Sequence, residues 1–321
     1  MRSSENVSWF ADIALKDRPA VGGKGGSLGE LTRAGVGVPP GFVVRTGAFE
    51  CFLGALEREE PVRSSVEALA DQELDRIKSI SERMRARFEN RSLPQELQAE
   101  IVAAHASLCS ERTDLPLAVR SSATTEDAED ASFAGLQDTY LWVTGAEATL
   151  HSLRSCWASI YSVPSIAYRR KRGIPEDKVA MAVVVQRMVD ARSSGVMFTR
   201  SPLTGDRSVI TVEGAWGLGS AVVSGEVTPD RFVIGKITGE ISVREIRDKH
   251  VKHVPAARGG TREAATSEEI RRIPCVSDDE LAALKDLACK VERYYGRPQD
   301  IEWAIDQSGQ IFLLQSRPET V

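Results

Sequence analysis

Two short apolar runs near the end of the chain constrain its fold more than any other feature. They span residues 300–305 and 310–317, and a polar turn of residues 306–309 separates them. Alternation around such a turn predicts an antiparallel hairpin, in which opposite residues share a face. With Ile305 opposite Gln310, Glu302 lies opposite Leu313. One face of the hairpin then carries these side chains: Asp300, Glu302, Leu313, Gln315 and Arg317.

This face admits two interpretations. A carboxylate, an amide oxygen and a guanidinium on one face suit a magnesium ion that bridges phosphates, with the arginine bound to the phosphates directly. The same pattern also fits a surface hairpin with a polar outer face, because antiparallel sheets commonly expose one face to water.

Composition and charge disfavour several classes of protein. The chain has 321 residues, 42% hydrophobic and 27% charged, a globular balance that allows one large domain or two lobes. A net charge of −5 argues against a broad nucleic-acid-binding surface. The 5 scattered cysteines contain no Cys-x-x-Cys pair, which disfavours a zinc site or a disulfide framework and fits a reducing cytoplasm. No apolar run approaches the length of a membrane span, so we expect a cytoplasmic protein with no membrane partner.

Secondary-structure patterns indicate an α+β fold with two lobes. Helical spacing dominates residues 61–112, whereas short strands occupy much of the second half. Residues 179–185 are a continuous valine-rich run, which predicts a strand buried on both faces. Ser277 and Glu280 form a capping box that predicts a helix over 278–295. Residues 236–275 are polar and irregular, and their order is left open. We expect an N-terminal lobe over residues 1–185 and a C-terminal lobe over 186–321.

A glycine-rich segment, residues 21–31, is the first candidate phosphate site. Glycines let backbone amides approach an anion closely, and a helix beginning near Ser27 would add its positive end. Lys24 would supply a mobile cation. The segment is not a Walker A loop, because the spacing of that motif is absent. A flexible turn is the alternative.

A second candidate lies around Arg120, at the end of a short strand that leads into a loop rich in hydroxyls and carboxylates. Arginine beside hydroxyls suits bidentate phosphate recognition. The alternative is that Arg120 pairs with Glu126 or Asp127 to order the loop. Farther along, Gly135 lies in a loop and Thr139 on a predicted strand.

Residues 186–189 end the valine-rich strand and suggest a nucleobase clamp. Backbone groups would contact the base edge, and Met188 would fill space against the ring. A plain strand end is the alternative. Glu213 lies before a glycine-rich loop, where it would support a metal or a ribose, or would be structural.

Taken together and in this order, the motifs closely resemble the N-terminal nucleotide-binding domain shared by phosphoenolpyruvate synthase, pyruvate phosphate dikinase and rifampicin phosphotransferase. The resemblance implies a two-lobed ATP-grasp-type fold with ATP in a cleft between the lobes. The matching segments cover nearly the whole chain: residues 21–31, 38–42, 118–127, 131–140, 185–189, 193–198, 215–219, 295–298 and 300–320.

The resemblance also implies roles for single residues, with ATP and Mg²⁺ as the cofactors. Lys24 and Arg120 match the family's phosphate-binding pair, and Gly135 and Thr139 match positions that line the phosphates. Gln186 matches the adenine-side residue. The remaining matches are Glu302 and Gln315 at the magnesium-associated positions and Arg317 beside the transferred phosphates. Lys24, Arg120 and Arg317 are the expected catalytic residues.

In this family a histidine on a separate domain takes phosphate from ATP, releases AMP and inorganic phosphate, and passes its phosphate to an acceptor. None of the 4 histidines here lies in the Gly-rich setting expected of that carrier. We therefore expect a chain that binds Mg-ATP and needs two absent partners: a histidine-bearing phosphocarrier and an acceptor-binding domain. It would be an excised domain or a natural subunit.

The phosphate acceptor stays open. The chain is most like phosphoenolpyruvate synthase, and phenylphosphate synthase and rifampicin phosphotransferase are the alternatives. A non-catalytic nucleotide-sensing module is a second class of function, although the intact set of charged residues disfavours it. A structural or interaction protein is a third, and the glycine-rich loops disfavour it because they cost chain entropy without adding core.

Overall fold

A computed structural model describes residues 5–69, 73–124, 138–257 and 259–319. Its α-helices are α1 (Arg18–Arg33), α2 (Thr46–Glu57), α3 (Arg63–Glu67), α4 (Leu74–Asn90), α5 (Gln95–Leu108), α6 (Ala146–Ser159), α7 (Val163–Arg172), α8 (Ser220–Val223) and α9 (Asp278–Tyr295). Its strands are β1 (Val7–Trp9), β2 (Gly41–Val44), β3 (Leu117–Ala123), β4 (Thr139–Val143), β5 (Met181–Arg187), β6 (Ala191–Phe198), β7 (Val209–Trp216), β8 (Asp230–Gly235), β9 (Ile241–Glu245), β10 (Val251–Pro255), β11 (Thr261–Ala265), β12 (Gln299–Asp306) and β13 (Ile311–Pro318). The predicted α+β class is confirmed.

The chain divides into two compact units. The first unit comprises Met1–Gly29 and Pro40–Met188, and the second comprises Glu30–Pro39 and Val189–Val321. The short segment Glu30–Pro39 belongs to the second unit because it bonds to elements there, for example through the Leu313 amide, which donates to the Gly37 carbonyl at 2.8 Å. The sequence-based lobes, 1–185 and 186–321, stay a prediction.

The first unit is built on a five-stranded antiparallel sheet in the order β1-β2-β5-β3-β4. One face is covered by apolar side chains of α2, α4, α5 and α6, including Phe52, Phe88 and Trp157, each fully buried. β5 is buried along nearly its whole length, which confirms the prediction for the valine-rich run. Leu117 and Val119 of β3 belong to this core, so the alternate residues of β3 point to the other face.

The second unit is built on a six-stranded antiparallel sheet in the order β13-β12-β6-β7-β8-β9. Helix α9 covers one face, and its Leu281, Leu284 and Val291 pack with Ile301 and Trp303 of β12. The capping box that starts α9 is confirmed, since Ser277 accepts from the Glu280 amide and the Glu280 side chain accepts from the Ser277 amide.

Residues 236–275 differ from the irregular segment that the sequence indicates. They contain β9 and a separate hairpin of β10 and β11. Asp230 anchors the segment from within: its carboxylate accepts from the Lys249 ammonium at 2.6 Å, the Arg247 amide at 2.8 Å and the Cys275 amide at 2.9 Å. These bonds join residues 17, 19 and 45 positions apart in sequence, contacts that a polar composition does not reveal.

Candidate functional site

The glycine-rich segment is a broken helix rather than a loop. Helix α1 is interrupted at Gly22, which has φ 71° and ψ −179°, and helical geometry resumes directly after it. The expectation of a helix beginning near Ser27 is therefore wrong: Lys24 lies in the first turn after the break. Only Gly22 needs its positive φ. Gly25 and Gly26 serve close packing, because an added Cβ at these positions would lie 3.0 Å from Val43 and 2.9 Å from Arg18 respectively.

Strand β3 holds this break in place. A Cβ on Gly22 would lie 2.1 Å from the Ser122 carbonyl oxygen, so only glycine allows the approach. The Ser122 hydroxyl donates to the Val21 carbonyl at 2.8 Å and accepts from the Gly25 amide at 3.0 Å. The two phosphate-site candidates of the first unit, the glycine-rich segment and the Arg120 strand, are thus joined by direct hydrogen bonds.

The first sheet brings three of the candidate residues onto one face. Arg120 pairs with Thr139 of β4 and with Val184 of β5, and Gln186 pairs with Ala118 two residues from Arg120. Opposite residues share a face and side chains alternate. Arg120, Thr139 and Gln186 therefore lie on the face away from the helix-covered core. Arg120 and Gln186 are largely buried, and Thr139 is exposed.

Lys24 also lies close to β3, because the amide of the next residue, Gly25, donates to Ser122 of that strand. Burial raises the pKa of the Cys156 thiol, and the positive charge of Lys24 opposes that rise. The same thiol lies 3.8 Å from the Val119 carbonyl of β3. Gly135 lies outside the described residues. Glu126 and Asp127, the suggested partners of Arg120, also lie outside them.

At the end of β5, two backbone amides of the suggested nucleobase clamp already have partners. The Arg187 amide donates to the Pro40 carbonyl and the Met188 amide to the Pro116 carbonyl, each at 2.9 Å. These two amides are engaged inside the first unit, so neither donates to a base edge in this arrangement. Met188 is half-buried, and its side chain stays a candidate for contact with a ring.

The terminal hairpin forms, but its predicted register is wrong. Ile305 pairs with Ile311 instead of Gln310, and a β-bulge between Glu302 and Trp303 shifts the pairing by one more residue. Two shifts of one residue restore the original parity at the outer end, where Glu302 pairs with Gln315. Between turn and bulge the parity is reversed, so Leu313 pairs with Trp303 and is buried in the core.

The outer end of the hairpin carries four of the five predicted side chains on one face. Glu302 pairs directly with Gln315, and Asp300 pairs directly with Arg317. The Arg317 Nε and Nη2 both lie 2.8 Å from Asp300 Oδ2. Burial raises the pKa of the Asp300 carboxyl, Arg317 opposes the rise, and Glu302 adds to it. Sequence reasoning placed Asp300 here without giving it a role, and the structure makes it the partner of Arg317.

Glu213 lies on the same face of the second sheet as Glu302, two strands away. Glu302 pairs with Val196 of β6, and Val196 pairs with Glu213 of β7. Two strand spacings put the Glu302 and Glu213 backbones about 10 Å apart. Burial raises the pKa of the Glu213 carboxyl, Arg231 opposes the rise, and Glu245 adds to it. The hairpin pattern alone could not show this third carboxylate, because it depends on the order of the strands.

Sequence comparison assigns the chain to a known protein family. The model of the pyruvate phosphate dikinase AMP/ATP-binding domain matches residues 18–321. The chain belongs to this family. The resemblance in sequence to the nucleotide-binding domain of such enzymes is thereby confirmed.

Relatives within this dikinase family carry two different names. A probable phosphoenolpyruvate synthase of Methanothermobacter thermautotrophicus is 40% identical over 316 residues, which are 98% of this chain and 46% of that protein. A rifampicin phosphotransferase of a Streptomyces species is 41% identical over 310 residues, which are 96% of this chain and 35% of that protein. The chain thus spans less than half the length of either relative.

Among solved structures, D-cycloserine synthetase aligns with 90% of this chain and 59% of its own, at 11% identity and a TM-score of 0.30. This similarity is too low to assign a fold, so the fold of the dikinase-family chain rests on the sheets and helices described above. In the part of the chain that the structure describes, no helix has the length and apolarity needed to cross a membrane.

The donors available for a metal ion in this dikinase-family chain are few. No cluster of three or more His, Cys, Asp or Glu side chains in the described ranges is arranged to hold a metal. Glu302 and Gln315 offer one carboxylate and one amide oxygen from adjacent strands. These are hard oxygen donors of the kind that Mg²⁺ takes together with water and substrate phosphates. The residues present therefore fit a magnesium ion that is shared with a nucleotide.

The histidines occupy varied settings. His105 is buried in α5, where burial lowers its pKa. His151 lies on α6 and is exposed, as is His250. His253 lies on β10 with its Nδ1 2.7 Å from the Ser220 hydroxyl and its Nε2 2.8 Å from the Glu226 carboxylate.

Proposed function

We propose that this chain binds Mg-ATP as the nucleotide-binding part of a dikinase-type phosphotransferase. In the proposed reaction ATP, water and a histidine on a separate carrier domain give AMP, inorganic phosphate and a phosphohistidine, which then passes its phosphate to an acceptor held on another domain. A cytoplasmic location belongs to the same proposal. The observation that most strongly supports it is the paired register of Glu302 with Gln315 and Asp300 with Arg317 on one face of β12 and β13.

The first unit would neutralise phosphate charge. Lys24 lies in the first turn of a helix whose positive end favours anions, and Arg120 has a guanidinium suited to bidentate contact with phosphate oxygens. Thr139 adds a hydroxyl on the same face as Arg120. Gln186 would contact the adenine side. Phosphoryl transfer needs little covalent chemistry from the protein, so positioning and electrostatic stabilisation are its main contributions.

The second unit would hold the metal and orient the transferred phosphates. Glu302 and Gln315 are the proposed magnesium ligands, and bound magnesium would neutralise charge on the phosphate oxygens. Arg317 would contact the phosphates directly. Asp300 would aim that guanidinium, since both nitrogens of its fork meet the same carboxylate oxygen.

The enzymes that fit this proposal differ in the phosphate acceptor they use. Phosphoenolpyruvate synthase is the leading assignment, and rifampicin phosphotransferase and phenylphosphate synthase are the alternatives. The chain is 40% identical to a probable phosphoenolpyruvate synthase and 41% identical to a rifampicin phosphotransferase, so sequence identity does not distinguish these two assignments. Supplying a histidine carrier domain from a relative in trans and measuring AMP tests catalysis directly. AMP formation supports the phosphotransferase, whereas tight ATP binding without AMP formation favours the nucleotide-sensing alternative.

Calorimetric titration of Mg-ATP tests the binding proposal itself. Lys24→Ala and Arg120→Ala should each weaken binding roughly 10- to 100-fold, the range expected when one hydrogen bond to a charged group is lost. Lys16→Ala is the matched control, because Lys16 is an exposed lysine near the start of the same helix. Wild-type affinity in both Lys24→Ala and Arg120→Ala would contradict the proposed phosphate site.

A further inference from the structure

The Ser122 hydroxyl lies between two backbone groups of helix α1, the Val21 carbonyl and the Gly25 amide. In an uninterrupted α-helix the Gly25 amide would donate to the Val21 carbonyl four residues earlier. Here Gly22 departs from helical geometry, and the two groups both bond to one oxygen: Ser122 Oγ accepts from the Gly25 amide at 3.0 Å and donates to the Val21 carbonyl at 2.8 Å. A side chain inserted into the helical hydrogen-bond ladder is a known cause of a sharp kink.

The insertion is tightly constrained on both sides. Ser122 is fully buried, and a Cβ at Gly22 would collide with its carbonyl oxygen. Strand β3 positions the serine, because Ser122 pairs with Ala182 of β5. The break in the helix is therefore set by a residue about a hundred positions away in sequence, and not by the glycines alone.

The same strand carries Arg120 two residues before Ser122, on the same face. Lys24 lies between the break at Gly22 and the hydrogen-bonded Gly25. The hydroxyl thus fixes the start of the Lys24 helix relative to the strand that presents Arg120.

We propose that Ser122 is a positioning residue for phosphate binding, which holds the start of the Lys24 helix open and in register with Arg120. This inference rests on the proposed binding of ATP phosphates by Lys24. Without the hydroxyl, the Gly25 amide and the Val21 carbonyl lose their shared partner, and the most direct way to satisfy both is to close the helix across Gly22. Closure would rotate Lys24 away from its present position.

A double-mutant cycle with Lys24 tests the coupling. Mg-ATP is titrated calorimetrically into wild type, Ser122→Ala, Lys24→Ala and the double variant. Ser122→Ala should weaken binding about tenfold, and in the Lys24→Ala background it should change affinity less than about twofold, because it acts through the lysine. Ser121→Ala is the control, since Ser121 is a buried serine on the opposite face of the same strand, and it should bind like wild type.

Two results overturn the inference: wild-type affinity in Ser122→Ala, or an equal loss with and without Lys24. Wild-type affinity in Lys24→Ala would instead refute the phosphate site on which the inference rests. If Ser122→Ala does not fold, Ser122→Thr and Ser122→Cys supply the comparison. The threonine keeps a hydroxyl and should bind more tightly than the cysteine, whose thiol is a weak hydrogen-bond partner, and equal affinities would refute the role of the hydroxyl.

Discussion

Replacing Asp300 by asparagine should weaken Mg-ATP binding through Arg317. The substitution keeps the shape of the side chain and removes its negative charge. In the wild type, Arg317 Nε and Nη2 each lie 2.8 Å from Asp300 Oδ2. The Asp300 side chain is 12% exposed, but that of Arg317 is 50% exposed, so the pair lies between a surface ion pair and a buried one. We therefore expect a loss of about 1 kcal/mol, roughly fivefold in affinity.

Calorimetric titration of Asp300→Asn, Arg317→Ala and the double variant separates aiming from direct contact. Arg317→Ala should cost more, roughly 10- to 100-fold, because it removes the phosphate ligand itself. Adding Asp300→Asn to it should cause no further loss. A further fivefold loss in the double variant would refute the reasoning, because Asp300 would then contribute independently of Arg317. Asp306→Asn is the control: its carboxylate caps the hairpin turn by accepting from Ser308 and Gln310, so it should lower the melting temperature and leave affinity unchanged.

Three further predictions concern stability. Lys249→Met breaks a fully buried pair with Asp230 and should cost about 3–5 kcal/mol in urea unfolding; a loss below about 1 kcal/mol would contradict the anchoring role. The pKa of Glu213 is raised from its ordinary 4.5 by burial, so the folded state loses stability as pH rises above that value, and Glu213→Gln should gain stability relative to wild type between pH 4 and pH 7 in the same assay. A constant difference across that range would refute the assignment. Gly22→Ala should unfold the protein or lower its melting point sharply, whereas Gly54→Ala, in open space within α2, should stabilise by about 0.5–1 kcal/mol; equal effects would contradict the strained break.

Local patterns were enough to predict some elements. The capping box at Ser277 and Glu280 predicted the start of α9, because its hydrogen bonds join residues three apart. Alternation predicted the terminal hairpin and placed Glu302, Gln315 and Arg317 on one face. That outcome depended on two register shifts that restored the parity.

Other features depend on contacts between distant residues, which local patterns do not contain. The bulge that buries Leu313 leaves no clear trace in the alternation. The break at Gly22 needs Ser122, and the position of Glu213 relative to Glu302 needs the order of β12, β6 and β7. Glycines in residues 21–31 predicted a loop, whereas most of them allow a helix to pack closely against its neighbours.

The central claim is that Glu302 and Gln315 bind magnesium together with ATP. Its most direct test is calorimetric titration of ATP in excess Mg²⁺ and in EDTA, with wild type, Glu302→Ala and the exposed control Glu240→Ala. We predict that Mg²⁺ tightens ATP binding in wild type and in Glu240→Ala, and that this enhancement is largely lost in Glu302→Ala. The same enhancement in all three proteins would contradict the claim.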